Sequence, residues 1–192
     1  MSRAPETVTE SPAGLIYRPE LIDPAEEAKL LGMFEGLDFR AITMRGQTAL
    51  RTVRLYGYDY DYESGQVRPG DPLPAELTWL RDRCADLAGI ASADLVQALV
   101  SRYPAGAGIG WHRDAPMFGS NVIGVSLLSP CRMRFQRRSR DRRLVYALEL
   151  EPRSGYVLSG SARWAWQHSI PATKALRYSV TFRSLRRDAA PG

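Results

Sequence analysis

The chain contains only two histidines, and one of them is separated from an aspartate by a single residue. His112 and Asp114 stand in the segment Gly-Trp-His-Arg-Asp, and residues two apart in an extended segment share one side. Both can therefore reach one metal ion, and His168 is the imidazole that could complete the set. Two imidazoles and one carboxylate leave three coordination positions open, as in non-haem iron(II) oxygenases, although zinc and manganese also accept these ligands. The alternative is a chance His-x-Asp pair, with His112 on the surface and His168 in the core.

A segment near the C-terminus alternates between polar and apolar residues. It reads Arg-Tyr-Ser-Val-Thr-Phe-Arg, so one strand face would carry Arg177, Ser179, Thr181 and Arg183. Arginine binds a carboxylate through two parallel hydrogen bonds, and this face therefore predicts a pocket for a dicarboxylate. The alternative is a solvent-exposed face, on which the same alternation would carry no chemistry. The closeness of His168 to Arg177 in the chain favours the pocket.

The elements that must position these residues change in type along the chain. Asp23 and Glu26 form a capping-box pattern that begins a first helix, and a second helix is predicted over 74–88, ending at Gly89. Short β-rich runs follow, separated by turns. They cover 95–102, 122–128, 133–137, 144–150, 156–158 and 178–183. Helices first and strands afterwards indicate an α+β domain whose antiparallel sheet is closed or double-layered.

Length and composition are those of one globular domain. The chain has 192 residues, of which 44% are hydrophobic and 24% charged, and no apolar run is long enough to span a bilayer. We expect a disordered lead-in over 1–14, a single domain over 15–187 and a tail over 188–192. Cys84 and Cys131 predict reduced core thiols in a cytoplasmic protein. The net charge is +5 and 24 of the 26 basic residues are arginine, which is compatible with a nucleic-acid partner.

Four elements, one of which is the His-x-Asp pair, occur in a fixed order along the chain. Tyr103 stands nine residues before His112, the segment Trp-Gln-His-Ser-Ile surrounds His168, and the strand that begins at Arg177 closes the series. Taken together, these residues resemble the AlkB family of iron(II)/2-oxoglutarate-dependent dioxygenases over about residues 95–185.

The resemblance implies a fold and a cofactor set. The fold is a double-stranded β-helix, or jelly-roll, core with the N-terminal helices packed against it. His112, Asp114 and His168 would be the catalytic residues that hold Fe(II), and 2-oxoglutarate would chelate the iron.

The resemblance also assigns the cosubstrate contacts. Arg177 would pair with the distal carboxylate of 2-oxoglutarate, Arg183 would lie near its iron-bound end, and Tyr103 would donate a hydrogen bond to it. Ser179 belongs to the same predicted set. Serine stands at Ser101 and Ser179 where family members often carry asparagine, and its side chain is shorter.

Arginine is concentrated between two of the predicted strands. A hairpin this basic attracts a polyanion, and we expect Arg138, Arg140 and Arg142 to contact nucleic acid. A solvated hairpin tip is the alternative. Arg51 and Tyr58 are predicted substrate contacts in the region that the resemblance makes a substrate lid. The alternative there is that alternating tyrosines line a half-buried sheet.

Three functions are compatible with these features. The first is oxidative demethylation or hydroxylation of alkylated bases, as in DNA repair or RNA modification, by a monomer acting on single-stranded DNA or RNA, whose bases are accessible. The second is a 2-oxoglutarate oxygenase that acts on a protein side chain or a small molecule, because the fold does not determine the substrate. The third is a non-catalytic nucleic-acid-binding module. Pro116 replaces an acidic residue that family members often carry two positions after the metal aspartate.

Overall fold

The computed structural model describes residues 6–44, 47–60, 66–139 and 142–186. The described helices are α1 (Pro24–Glu35), α2 (Ala75–Ala88) and α3 (Gly160–Trp164). The backbone N–H of Glu26 donates to Asp23 Oδ1 at 2.8 Å, and the N–H of Asp23 donates to Glu26 Oε2 at 2.9 Å. Gly89 ends α2 at φ +66°, a left-handed conformation that glycine adopts without a steric cost. Both predicted helices, and the residues that bound them, are confirmed.

Fourteen strands account for most of the remaining described chain. They are β1 (Glu6–Thr9), β2 (Leu15–Arg18), β3 (Arg40–Met44), β4 (Gln47–Tyr56), β5 (Tyr58–Tyr60), β6 (Val67–Pro69), β7 (Gln97–Tyr103), β8 (Ile109–His112), β9 (Phe118–Leu127), β10 (Cys131–Ser139), β11 (Arg142–Leu150), β12 (Gly155–Leu158), β13 (Gln167–Ile170) and β14 (Arg177–Leu185).

These strands form two large sheets and one small one. The major sheet has seven strands in the order β2-β12-β9-β14-β7-β4-β3, and all its neighbours are antiparallel. The minor sheet has five strands in the order β1-β11-β10-β13-β8, in which β1 and β11 are parallel. From β7 to β14 the chain passes back and forth between the two sheets. This alternation is that of a double-stranded β-helix, and the predicted jelly-roll within an α+β fold is confirmed.

The major sheet is covered by helices on one face and by the minor sheet on the other. Leu30 and Phe34 of α1 and Leu77 of α2 pack with Val180 and Phe182 of β14 in one apolar cluster. A second cluster lies between the sheets and contains Phe135, Leu150, Leu158, Trp166 and Ile170. The face of β14 opposite the helices therefore points into the space between the sheets, as the alternation of its residues predicts.

Part of the expected lead-in is ordered, so the prediction of disorder over 1–14 was wrong there. Glu6–Thr9 forms β1 and pairs in parallel with β11, Val8 lying opposite Leu144. Sequence pattern missed this strand because a short edge strand gains its stability from a distant partner. The predicted tail over 188–192 lies outside the described residues.

The alternating tyrosines do not lie on one strand. Tyr56 ends β4 and is buried, whereas Tyr58 begins β5 and is half-buried. Gly57 separates them at φ +78°, and a Cβ there would approach the carbonyl oxygen of Val96 to 1.9 Å. This close backbone approach separates β4 from β5. Tyr58 and Tyr60 line a half-buried two-stranded sheet, which is the alternative that the sequence left open.

Both cysteines are buried free thiols, as predicted. Burial raises the pKa of Cys84 and of Cys131, so both stay protonated at neutral pH. None of the helices in the described ranges has the length and apolar character needed to cross a bilayer.

Candidate metal and cosubstrate site

Pairing of β8 with β13 brings together the three residues predicted to bind metal. His112 ends β8 and lies directly opposite His168 in the sheet register, and their ring centroids are 4.3 Å apart. Asp114 follows β8 by two residues, and its Oδ2 lies 3.7 Å from His168 Nε2. One potential ligand atom from each of the three residues lies within 4.8 Å of the others, which is close enough for one ion to contact all three.

The electrostatics of this cluster keep each residue in the form that binds a metal. Burial alone would raise the pKa of Asp114, but the guanidinium of Arg183, with Nη2 2.6 Å from Asp114 Oδ1, and the neighbouring positive groups lower it. Burial lowers the pKa of His112 and, together with the charge of His112, lowers that of His168 to about 3. At neutral pH the carboxylate is therefore ionised and both imidazoles are neutral.

The orientation of His112 is held by its own strand. Its Nδ1 lies 2.9 Å from the carbonyl oxygen of Gly110. With the proton on Nδ1, the ring donates to this carbonyl and leaves Nε2 free to bind an ion, which is the usual second contact of a metal-binding histidine.

Arg163 holds the loop that carries Asp114, a role that sequence reasoning missed. It is only 2% exposed and donates to the carbonyl oxygens of Asp114 (3.0 Å) and Ala115 (2.9 Å). The same guanidinium donates to the carbonyls of Phe118 (3.1 Å) and Gly119 (3.2 Å). Arg163 lies on α3, which has only five residues, and its four acceptors come entirely from the tertiary structure.

The polar face of β14 is buried, which excludes the solvent-exposed alternative. Arg177 is 1% exposed, and its Nε donates to Ser126 Oγ at 3.2 Å. Its guanidinium carbon lies 4.9 Å from the ring centroid of Tyr103, which is opposite Arg177 in the pairing of β14 with β7. Ser179, Thr181 and Arg183 are also buried.

Arg177 Nη1 is buried and has no hydrogen-bond acceptor within the described chain. A buried guanidinium without a full set of acceptors is costly unless an anion binds there. The donor set therefore fits a carboxylate ligand at this end of the site and a divalent metal at the other.

A cavity of about 420 Å³ joins the metal cluster to the arginine-bearing face. Tyr156 forms part of its wall opposite Gly124, where a Cβ would come within 2.2 Å of the tyrosine ring. Gly124 thus makes room for an aromatic wall that sequence analysis did not find. A separate groove of about 520 Å³, between Arg40 and Arg68, contains none of the three metal-binding candidates.

The predicted substrate contacts are divided between the cavity and the surface. Arg51 lines the cavity and is 7% exposed, whereas Tyr58 does not line it. Tyr60, the next tyrosine along, does line it. Arg138 and Arg142 are exposed on the minor sheet, and Arg140 lies outside the described residues.

A jelly-roll with two imidazoles and one carboxylate beside an arginine-lined cavity defines a class of non-haem metalloenzyme. The family model described as the 2OG-Fe(II) oxygenase superfamily matches residues 26–183, and the chain belongs to this family. The family uses Fe(II) and 2-oxoglutarate. The predicted cofactors and the dioxygenase class are therefore confirmed, as is the AlkB-like character of the chain.

Three known proteins illustrate the similarity. The chain is 32% identical over 200 residues to the alkylated DNA repair protein ALKBH8 homolog of Arabidopsis thaliana, covering 91% of this chain and 56% of that protein. It is 28% identical over 169 residues to the tRNA (carboxymethyluridine(34)-5-O)-methyltransferase alkbh8 of Xenopus tropicalis, covering 85% of this chain and 26% of that protein. The solved structure of OsALKBH1 superposes with a TM-score of 0.72 at 14% identity, covering 91% of this chain and 98% of that one, which shows the common fold. The chain thus spans about half of the first relative and a quarter of the second.

Proposed function

We propose that the protein demethylates or hydroxylates alkylated bases in single-stranded RNA or DNA. The observation that carries this proposal is the buried cluster of His112, Asp114 and His168 beside an arginine-lined cavity in a chain of this family. The first relative above is named for repair of alkylated DNA, and the second is a tRNA methyltransferase of which this chain matches about a quarter. Both names support a nucleic-acid substrate.

In this proposal each side chain of the metal cluster has a separate task. His112, Asp114 and His168 hold iron, and Arg183 fixes the carboxylate of Asp114 by the 2.6 Å ion pair. Arg163 fixes the backbone of the same loop. When bound, iron and 2-oxoglutarate supply the oxidation of a C–H bond by O2, with succinate and CO2 formed from the cosubstrate.

The cosubstrate contacts follow from the wall of the cavity. Arg177 Nη1, which lacks an acceptor in the described chain, receives the distal carboxylate of 2-oxoglutarate. Tyr103 and Ser179 lie on the two paired strands beside it and contribute hydroxyl groups, while Arg183 lies toward the metal end. Burial of this wall excludes water, which strengthens every charge-assisted hydrogen bond made there.

The outer face of the minor sheet supports a nucleic-acid partner. Its exposed arginines, which we name the outer-face arginines, are Arg132, Arg134, Arg138 and Arg143. Arg142 is also exposed but pairs with Ser139, and by the alternation of the strand it belongs to the opposite face. The guanidinium carbon of Arg134 lies 5.1 Å from the ring centroid of Trp111, which is 36% exposed and also lines the cavity. Cationic side chains next to an aromatic ring at the cavity mouth are suited to bind a single-stranded nucleic acid. Its phosphates can contact the arginines, and one of its bases can stack on the ring.

The test begins with protein loaded with Fe(II) and 2-oxoglutarate in the absence of O2. Methylated RNA and DNA oligonucleotides are then added, air is admitted, and succinate and oligonucleotide masses are measured. We expect succinate together with loss of a methyl group or gain of an oxygen atom. Asp114→Asn should abolish both signals, whereas Asp82→Asn, a half-exposed position on α2, should leave them unchanged.

Two results would count against the proposal. Succinate without any change in any oligonucleotide would move the substrate to a protein side chain or a small molecule. No succinate with any substrate, although the iron binds, would remove the enzymatic assignment.

We also propose that the protein is a cytoplasmic monomer. The two buried free thiols support a reducing compartment. Exposed large apolar residues lie on different elements, for example Ile16 on β2, Leu50 on β4 and Trp164 on α3. Light scattering of the purified protein tests the monomer, and a dimer mass at micromolar concentration would refute it.

A further inference from the structure

A third buried guanidinium lies in the cavity in addition to those of Arg177 and Arg183. Arg51, on β4, is 7% exposed, and its Nη1 donates to Ser101 Oγ at 3.3 Å. Its guanidinium carbon lies 5.7 Å from the ring centroid of Tyr103. Arg51 Nε is buried and has no acceptor within the described chain. The guanidinium of Arg51 can therefore still donate a hydrogen bond from Nε to a ligand, and its positive charge can attract a negative charge on that ligand.

The described wall of the cavity supplies no anion to Arg51. Asp114 is the one carboxylate among the described residues that line the cavity, and Arg183 already pairs with it. In the function proposed above, on which this inference rests, Arg177 takes the distal carboxylate of 2-oxoglutarate. His112, Asp114 and His168 would hold a metal ion whose charge would balance the near end of the cosubstrate. The positive charge of Arg51 is therefore not compensated by the metal site or by the cosubstrate.

The two residues after Asp114 offer no compensating group. They are Ala115 and Pro116, which line the cavity and carry no charge. A base with a fixed positive charge would thus meet the buried guanidinium of Arg51 and find no free carboxylate in the described wall. That repulsion is strong at low dielectric. A carbonyl oxygen or a carboxylate on the substrate would instead accept a hydrogen bond from Arg51.

We propose that Arg51 contacts the substrate and sets its specificity: the cavity selects a base that is neutral or anionic and carries a hydrogen-bond acceptor, and it rejects a base with a fixed positive charge. Ser101 positions the guanidinium for this contact. Arg51 therefore has a separate role from Arg177 and Arg183, which serve the cosubstrate and the metal ligand.

The experiment compares three single-stranded RNA oligonucleotides that differ in one base. The base is 1-methyladenine, which is a cation at neutral pH, 3-methyluracil, which is neutral, or 5-carboxymethyluracil, which is an anion. Affinities are measured by fluorescence anisotropy with Mn(II)-substituted protein and N-oxalylglycine, which do not turn over. Competitive oxidation of the same mixture by the iron-loaded protein gives the ratio of kcat/KM values.

We expect the native protein to bind the neutral and anionic oligonucleotides at least tenfold more tightly than the cationic one. Arg51→Gln should reduce this preference about tenfold, and Arg51→Lys, which keeps the charge, should restore part of it. The matched control is Arg54→Gln, which removes a guanidinium from the same strand three residues on, where it pairs with Asp71 at the surface. This variant should retain the native preference.

Three results would overturn the assignment. The first is an equal preference in the native protein and in Arg51→Gln, with both shown by circular dichroism to be folded. The second is a loss of 2-oxoglutarate affinity in Arg51→Gln as large as that in Arg177→Gln, which would make Arg51 a cosubstrate residue. The third is a failure to bind or oxidise any of the three oligonucleotides, which would remove the proposed function and this specificity with it. The first two leave the proposed function intact.

Discussion

Two groups of arginines in this molecule differ in their exposure to solvent and in the partners that they contact. The buried arginines, which are Arg51, Arg163, Arg177 and Arg183, are each less than a tenth exposed and contact defined acceptors. Arg163 alone donates to four backbone carbonyls. The outer-face arginines are exposed, and one of them, Arg132, pairs with Glu149 where both side chains are at least half exposed.

The difference shows that burial, and not charge alone, decides what an arginine contributes. A buried guanidinium has few rotamers and little screening, so its removal leaves specific acceptors without partners. An exposed guanidinium is hydrated and screened by salt, and its individual contribution to stability is small. The first group can position a reaction, while the second can attract a polyanion.

The largest expected effect comes from the buried arginine that meets the cosubstrate. Arg177→Gln should weaken 2-oxoglutarate binding by at least about 100-fold, because breaking a buried charge pair costs about 3 to 5 kcal/mol. Anaerobic isothermal titration of the metal-loaded protein measures this effect. Arg177→Lys should recover only part of the affinity, since a point charge does not replace the two parallel hydrogen bonds. Native affinity in Arg177→Gln would show that the cosubstrate carboxylate binds elsewhere.

The next effect concerns stability and the position of Asp114. Arg163→Met should lower the free energy of unfolding by about 3 kcal/mol, because several buried carbonyls lose their donor. In a domain of this size that corresponds to a fall in Tm of about 6 to 12 °C, measured by calorimetry. Iron affinity should fall as well, since the loop of Asp114 is no longer held.

The comparison for that variant is Arg81→Gln on α2. Arg81 pairs with its neighbour Asp82, which is half exposed, and we expect a change below about 1 kcal/mol. If the two variants melted at the same temperature, Arg163 would not hold the loop.

The smallest effect is that of the outer-face arginines, and it depends on salt. Replacing Arg134 and Arg138 together by alanine should reduce the slope of log affinity against log salt by about 1.4 for a single strand, because each phosphate that an arginine neutralises adds about 0.7 to the slope. Tm should stay nearly unchanged. Binding of a fluorescent oligonucleotide at several salt concentrations measures the slope. The pair Arg18→Gln and Arg81→Gln removes the same charge elsewhere, and an equal change of slope there would show that only net charge matters.

Sequence alone identified most of the site because its signals are local. The alternation of β14 specifies two faces whatever its neighbours are, and the His-x-Asp spacing places two ligands on one side of an extended segment. The capping box at Asp23 and the glycine that ends α2 act within one turn of helix, so both were predictable. The fold and the family followed from the order of these elements.

What only the tertiary structure decided depends on contacts between distant segments. Strand pairing put His168 opposite His112, and α3 placed Arg163 among four carbonyls. Pairing of β4 with β7 buried Arg51 beside Ser101, whereas the sequence placed it only in a predicted substrate lid. Burial and register are properties of the assembled sheets, and a one-dimensional pattern carries residue type and spacing but not which distant strand will lie alongside.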